Sequence, residues 1–368
     1  MTLISDSPVE PVVGNGQIVM DRLPLHAKVR ETIRDMVIAE FKDGQKFLSE
    51  AVLVQRLGVS LGTVRHALSD LTREGLLVRL VPQGTFVRKP DDQGWDIRVI
   101  MPQTESIFLA TLMEKVVMAS QEMDLNLRIH QTHRGETTAD ILRLVHGVPT
   151  RQRVILLGEM LKTARGLYMA LAKRGYRVVN VDNLLVGCGD VYVGVDNAIG
   201  IRLGMKHLMD LGHRRIALLV NEPATRGNSR DRVQSFKTIV AESGLKQARV
   251  VVCDGDPLEE SIQGALDRIL ELKQRPTALF AISDTGAWIL LKALAKRGIK
   301  VPDEISVIGF DDDQASRYMN PALSTLAQPF ESIARRSLEL AIQKTSPDGM
   351  VLLPPSLVVR ESTGPVAP

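Results

Sequence analysis

The chain has few cysteines, no long apolar run and none of the common catalytic signatures. Only Cys188 and Cys253 occur in 368 residues. They lie far apart and match no metal or redox spacing, which predicts two reduced, inert thiols and no metal site. No run of apolar residues approaches the ~18 needed to span a bilayer. The first 20 residues lack a basic start followed by an apolar core, so no signal peptide is expected and the cytoplasm is the expected compartment. Phosphate-loop, H-E-x-x-H and G-x-S-x-G patterns are missing, and "GCGDVY" does not complete G-x-G-x-x-G. Histidines are scattered without a partnering carboxylate or thiol, so no enzyme and no cofactor is expected.

What is present is organised in parts. A chain this long exceeds one ordinary domain. The net charge of +3 is unevenly spread: residues 21–90 carry +4, residues 1–20 carry −2 and the remainder carries +1. A short N-terminal segment thus holds the basic excess that nucleic-acid contact requires.

Residues 1–20, with Pro8, Pro11, Gly14 and Gly16, read as a flexible tail. Val29, Ile33, Met36, Val37 and Phe41 recur at helical spacing. After a turn at Asp43-Gly44, Ser49 can cap a second helix that Gly58 stops. Ser60 can cap a third, with Val64, Ala67, Leu68 and Leu71 as its apolar stripe. Leu76 to Val87 reads as two short strands around "VPQG". Three helices and a hairpin predict a winged helix-turn-helix over 21–88 that binds double-stranded DNA, its third helix entering the major groove. The stretch 25–90 resembles the GntR family of bacterial regulators through "LSE", "LGVS", "TVRHAL", "EGLL" and "GTFV".

The candidate DNA-binding residues are Ser49, Ser60, Leu61, Gly62, Thr63, Arg65 and His66, with Gln83, Gly84, Thr85 and Arg88 in the wing. Arg65 is suited to a guanine edge or a phosphate, and the hydroxyls to phosphate, which sets register without reading sequence. The resemblance implies arginines at the positions of Ala51 and Leu61; both are missing, so an operator other than the family's usual one is expected. Leu61 either meets a thymine methyl or is merely exposed.

"KPDDQGWD", residues 89–96, reads as a linker. Beyond it, "IRVIMP", "NLRIHQ", "RVILLG", "RVVNVD", "RIALLV", "VVVCDG", "TALFAI" and "ISVIGFD" alternate with helical segments. This predicts an α/β fold of doubly wound parallel sheets in two lobes, with sites beyond the carboxyl ends of strands. Residues 95–363 resemble the effector-binding part of LacI/GalR repressors, periplasmic-binding-protein-like in fold, through "VGVDNAIGIRLGMKHLMDLGHRRIALL", "RPTALFAISDTGA", "VPDEISVIGFDD" and "PALSTLAQPF". The whole is similar to arabinose-repressor-type chimeras. The domain is expected over 97–363, with the chain crossing between lobes near 183–190, near 309–313 and in the C-terminal segment.

The strand ends place Glu105, Ser106, Phe108, Asp182, Asp284 and Asp311 as effector-binding candidates, and the resemblance adds Arg232 in "SRDRVQSF". The resemblance implies that Phe108 packs on a ligand ring and that Asp182, Asp284 and Arg232 bind the ligand, a sugar or sugar derivative. The expectation is a ligand-responsive transcription regulator, a repressor and a homodimer. The alternatives are a solute-binding protein with no regulatory role, a sugar-processing enzyme, and a regulator whose sensor has lost its ligand.

Overall fold

A computed structural model describes residues 25–366 except 74–75, 89–95, 104–105, 134, 146–151, 159–163, 183–190, 224–226, 254 and 344–348. The expected tail, 1–20, and all of the expected linker but Asp96 lie outside the described residues. The chain divides into two compact units that part at Gln93.

In the first unit, α1 (Leu25–Glu40), α2 (Glu50–Leu57) and α3 (Leu61–Arg73) precede a hairpin of β1 (Leu77–Leu80) and β2 (Gly84–Val87). Ile33, Val37, Leu53, Val64, Ala67 and Leu71 are wholly buried and bring the three helices onto one core. Gly58 ends α2 in the left-handed conformation, its N–H donating to the Val54 carbonyl, where a side chain would be strained. The segment before α2 joins the hairpin: Phe47 N–H donates to the Thr85 carbonyl and Val87 N–H to that of Gln45.

The second unit holds two six-stranded sheets. The first has the order β13-β7-β6-β5-β3-β4, all parallel. Its strands are β3 (Asp96–Pro102), β4 (Asn126–Thr132), β5 (Gln152–Leu157), β6 (Arg177–Val181), β7 (Val191–Val195) and β13 (Gly349–Leu353), with helices α4 (Ile107–Glu122), α5 (Thr138–Leu144) and α6 (Ala164–Lys173). The second has the order β14-β12-β11-β10-β8-β9, with β14 alone antiparallel. It contains β8 (Ile216–Val220), β9 (Arg249–Val252), β10 (Ala278–Ala281), β11 (Ser306–Asp311), β12 (Ser324–Ala327) and β14 (Ser356–Val358). Helices α7 (Asn197–Asp210), α8 (Gly227–Ser243), α9 (Leu258–Leu270) and α10 (Asp284–Lys296) belong to this lobe, while α11 (Phe330–Ile342) packs on α4 and the first sheet. Central strands such as β7, β8 and β10 are buried throughout, as sheets covered on both faces require.

The crossings differ from two of the expected positions. β6 and β7 share the first sheet, so 183–190 connects strands of one lobe, and β11 and β12 share the second, so 309–313 stays within it. The chain changes lobe at Asp196, between β7 and α7; at Gln328-Pro329, between β12 and α11; and at Pro354-Pro355, between β13 and β14. The reason is that β7 joins the first sheet, and β12 the second, before the chain leaves each.

Candidate functional site

The third helix of the head opens on a pair of hydroxyls. Ser60 Oγ accepts from Thr63 N–H at 3.2 Å and lies 2.8 Å from Thr63 Oγ1, so both side chains serve the helix start. Ser49 likewise caps α2, accepting from Val52 N–H. Val64, Ala67, Leu68 and Leu71 turn to the core, leaving Leu61, Gly62, Arg65 and His66 on the open side. Leu61 is 41% exposed. His66 stands beside His26, their rings 5.9 Å apart.

Arg65 is engaged: its Nε donates to Glu50 Oε2 at 2.8 Å, and Glu50 Oε1 lies 3.7 Å from Arg79 Nη2 in β1. In the wing, Gln83 and Arg88 are exposed and Thr85 half-buried. Gly84 has φ +122° and runs under the Lys46 side chain, a conformation and an approach that suit only glycine. Sequence reasoning missed Glu50 and Lys46. The signal for Lys46 was available, since the segment before α2 had to pair with something to bury its backbone groups.

In the second unit, hydrogen bonds join the carboxyl ends of strands from both sheets. Asp182, which follows β6 in the left-handed region (φ +57°), accepts from Asn228 Nδ2 at 2.7 Å. Asn197 Nδ2 donates to Asn228 Oδ1 at 3.1 Å, and Arg232 Nε donates to Asn197 Oδ1 at 2.7 Å. Arg232 also donates to the Ile282 carbonyl, lies 3.9 Å from Asp311 Oδ1 and stacks 3.7 Å from the Phe310 ring centroid. Asp311, at φ +130°, accepts from Gln328 Nε2 at 2.7 Å. Arg232 is only 5% exposed, and its guanidinium meets a planar ring, a carbonyl, an amide and a carboxylate.

Of four non-glycine residues at positive φ among the described residues, Asp182, Asp311 and Asp312 lie at this crevice, and such strain concentrates where function over-determines the backbone. Burial pushes the Asp311 carboxyl well above the carboxylate range; Arg232 pulls it down, while Asp284 and Asp313 push it further up. Burial also raises Asp313, to about 6, with Asp284 and Asp312 adding to it.

Asp182, Arg232 and Asp311 are therefore brought together. Asp284 is drawn inside instead. It is wholly buried, and its carboxylate accepts from Asp313 N–H (2.9 Å), Ser316 Oγ (2.6 Å) and Thr325 Oγ1 (2.5 Å). One backbone N–H and two hydroxyls thus occupy it here, while it stays close enough to Asp311 to raise that carboxyl. The cap of α10 is Ser283, not Asp284. Ser106 caps α4, and Phe108 packs on Phe330, ring centroids 5.5 Å apart, so both stand in structural roles here. Glu105 lies outside the described residues. Asn228 and Gln328 escaped sequence reasoning, since neutral amides leave no charge pattern, and Asn197 reads in sequence only as part of a helix start. Among the described residues no group of histidines, cysteines and carboxylates is disposed to hold a metal, and no helix is long and apolar enough to cross a membrane.

Residues 25–87 match the model of the bacterial regulatory proteins of the gntR family, and residues 205–363 that of the periplasmic binding protein-like domain. The chain is 28% identical over 363 residues to the arabinose metabolism transcriptional repressor of Geobacillus stearothermophilus, covering 93% of this chain and 98% of that protein. It is 31% identical over 172 residues to the HTH-type transcriptional repressor PurR of Photobacterium profundum, covering 45% of this chain and 51% of that one. The chain thus spans about half the length of the first curated relatives it matches. A solved LacI transcriptional regulator from a Rhodococcus species superposes with a TM-score of 0.63 at 27% identity, over 74% of this chain and 99% of that one. The chain accordingly joins a gntR-family helix-turn-helix domain to a periplasmic binding protein-like domain of two parallel α/β lobes, and its relatives are repressors of the LacI/GalR type.

Proposed function

We propose that this chain is a transcription regulator, a repressor, whose head binds operator DNA and whose two-lobed domain binds a small sugar-type effector. The observation that carries the reading is the buried Arg232, fixed at the ends of strands and joined through Asn197 and Asn228 to Asp182 of the other lobe. Guanidinium, amide and carboxylate groups gathered at one crevice are the kinds of group that fork onto the vicinal hydroxyls of a sugar. The similarity to an arabinose-metabolism repressor supports the ligand class.

One protomer presents one recognition helix, so the reading includes a homodimer on a pseudo-palindrome. An effector acts by binding the DNA-competent and DNA-incompetent states with different affinity. The cytoplasm is the compartment this activity needs.

The test has two arms. Selection from a randomised duplex pool yields a two-fold symmetric motif that Arg65→Ala binds weakly. Thermal denaturation against pentoses, hexoses and their derivatives shows a saturable rise with one of them, and Asp182→Ala removes it. A chain that selects no motif, or that no sugar stabilises, overturns the corresponding half.

A further inference from the structure

We propose that Glu50 sets DNA specificity as a positioning residue, one carboxylate that holds the recognition helix and the wing together. Its Oε2 takes the Nε–H of Arg65 at 2.8 Å and its Oε1 stands 3.7 Å from Arg79 Nη2. The two arginine side chains are 62% and 68% exposed, whereas Glu50 is 23% exposed. The carboxylate is thus the inner member and the guanidinium groups are the outer ones.

This arrangement has two consequences for a head that binds DNA, the reading on which the inference rests. With Nε spent on Glu50, Arg65 keeps its terminal Nη1 and Nη2 pair, the edge that can fork onto O6 and N7 of guanine. A guanidinium already held in place loses less freedom on binding. The same carboxylate offsets one of two positive charges, which weakens sequence-blind attraction to phosphate without touching base readout. Glu50 therefore raises the ratio of specific to non-specific binding from both sides.

The role matters more in this chain than the neighbouring positions suggest. Ala51 and Leu61 bring no charge to the face, and Arg56 is tied to Glu40 of α1 at 2.8 Å. Base readout then falls on Arg65, and its orientation on Glu50. A merely structural Glu50, favourable at the start of α2 through the helix dipole, would affect stability alone.

The full chain and its Glu50→Gln variant are used to select from a randomised duplex pool, and each is titrated with the selected duplex and with poly(dI-dC) over a range of salt. The wild-type motif contains a guanine whose selection Arg65→Ala abolishes. Glu50→Gln weakens preference at that same position about tenfold and binds poly(dI-dC) more tightly, with a steeper salt dependence. Glu50→Asp restores part of the preference, and Glu50→Gln adds nothing to it in the Arg65→Ala background. A Glu50→Gln variant that keeps the guanine preference overturns the inference. So does one that loses both duplexes in parallel with a lowered melting midpoint. A wild-type chain that selects no motif overturns the DNA-binding reading itself, a distinct result seen before any variant is made.

Discussion

The backbone of Gly309 in β11 runs directly against the carboxylate of Asp284, so that a methyl group added there would penetrate Oδ1 and press on Leu323. Neither neighbour is free to give, since Asp284 holds three hydrogen bonds and Leu323 is fully buried. Gly309→Ala is expected to cost about 1–3 kcal/mol by overpacking. A lowered urea midpoint with unchanged slope checks it.

Asp284→Ala is expected to act first through the fold. It leaves the hydroxyls of Ser316 and Thr325 and the N–H of Asp313 without their acceptor, and stranded buried donors cost about 1–3 kcal/mol each. A loss of about 3 kcal/mol or more in urea unfolding supports this. A variant as stable as the wild type would show that the carboxylate is dispensable to the crevice.

The pH dependence has a definite sign. Asp313 binds its proton more tightly folded, at about 6, than its ordinary value of 3.8, so the fold binds more protons than the unfolded chain in that interval. Its stabilising contribution is whole below pH 3.8 and is lost as pH rises to about 6. His207 and His213 run the other way. Burial holds both below 6.5, and their stability returns as pH rises to that value. Asp313→Asn is expected to remove the first effect and leave the histidine one, flattening the fall between about pH 4 and 6 by up to about 1.4 kcal/mol per pH unit, and to relieve Asp311 of one charge that raises it. Melting curves of the two chains across that range settle it.

Gly84→Ala places a side chain at φ +122° beneath Lys46. Such a backbone costs on the order of 1–3 kcal/mol, and the hairpin must shift to relieve it. The expected result is weaker duplex binding with the helical circular dichroism of the head retained. Undiminished binding would remove the wing tip from the DNA face.

Leu61→Arg tests whether the first turn of α3 meets DNA. An added arginine there is expected to steepen the salt dependence of duplex binding by about one phosphate contact. An unchanged slope would assign the exposure of Leu61 to solvent alone.

Much of this molecule was legible in its sequence where chemistry and periodicity coincide. The eight strand-like runs read from sequence become β3, β4, β5, β6, β8, β9, β10 and β11; the central ones among them are buried parallel strands and so read as continuous apolar runs, while the edge strands β4 and β9 are partly exposed. The strands β7, β12, β13 and β14 were not read. β7 is interrupted by Gly194 and β12 opens on Ser324 and Thr325, while β13 and β14 are edges, half exposed around Pro354-Pro355, where no run of apolar residues is needed. The lobe crossings were misplaced for that reason. At the crevice the aspartates stood out by following strand ends and Arg232 by its resemblance to a family motif, whereas Asn197, Asn228 and Gln328 connect them through neutral amides. Glu50 sits in the first turn of α2 with no arginine beside it in sequence, and only the approach of α3 and β1 gives it two.

The sheet orders also govern when the protein can be finished during synthesis. The first lobe is built from the earlier part of the second unit, yet its outer strand β13 is residues 349–353, and the second lobe awaits β14 at 356–358. A ribosome must therefore make nearly the whole chain before either lobe is whole. A premature stop between residues 88 and 348 takes a strand from both sheets, while every residue from α1 to β2 has already been made.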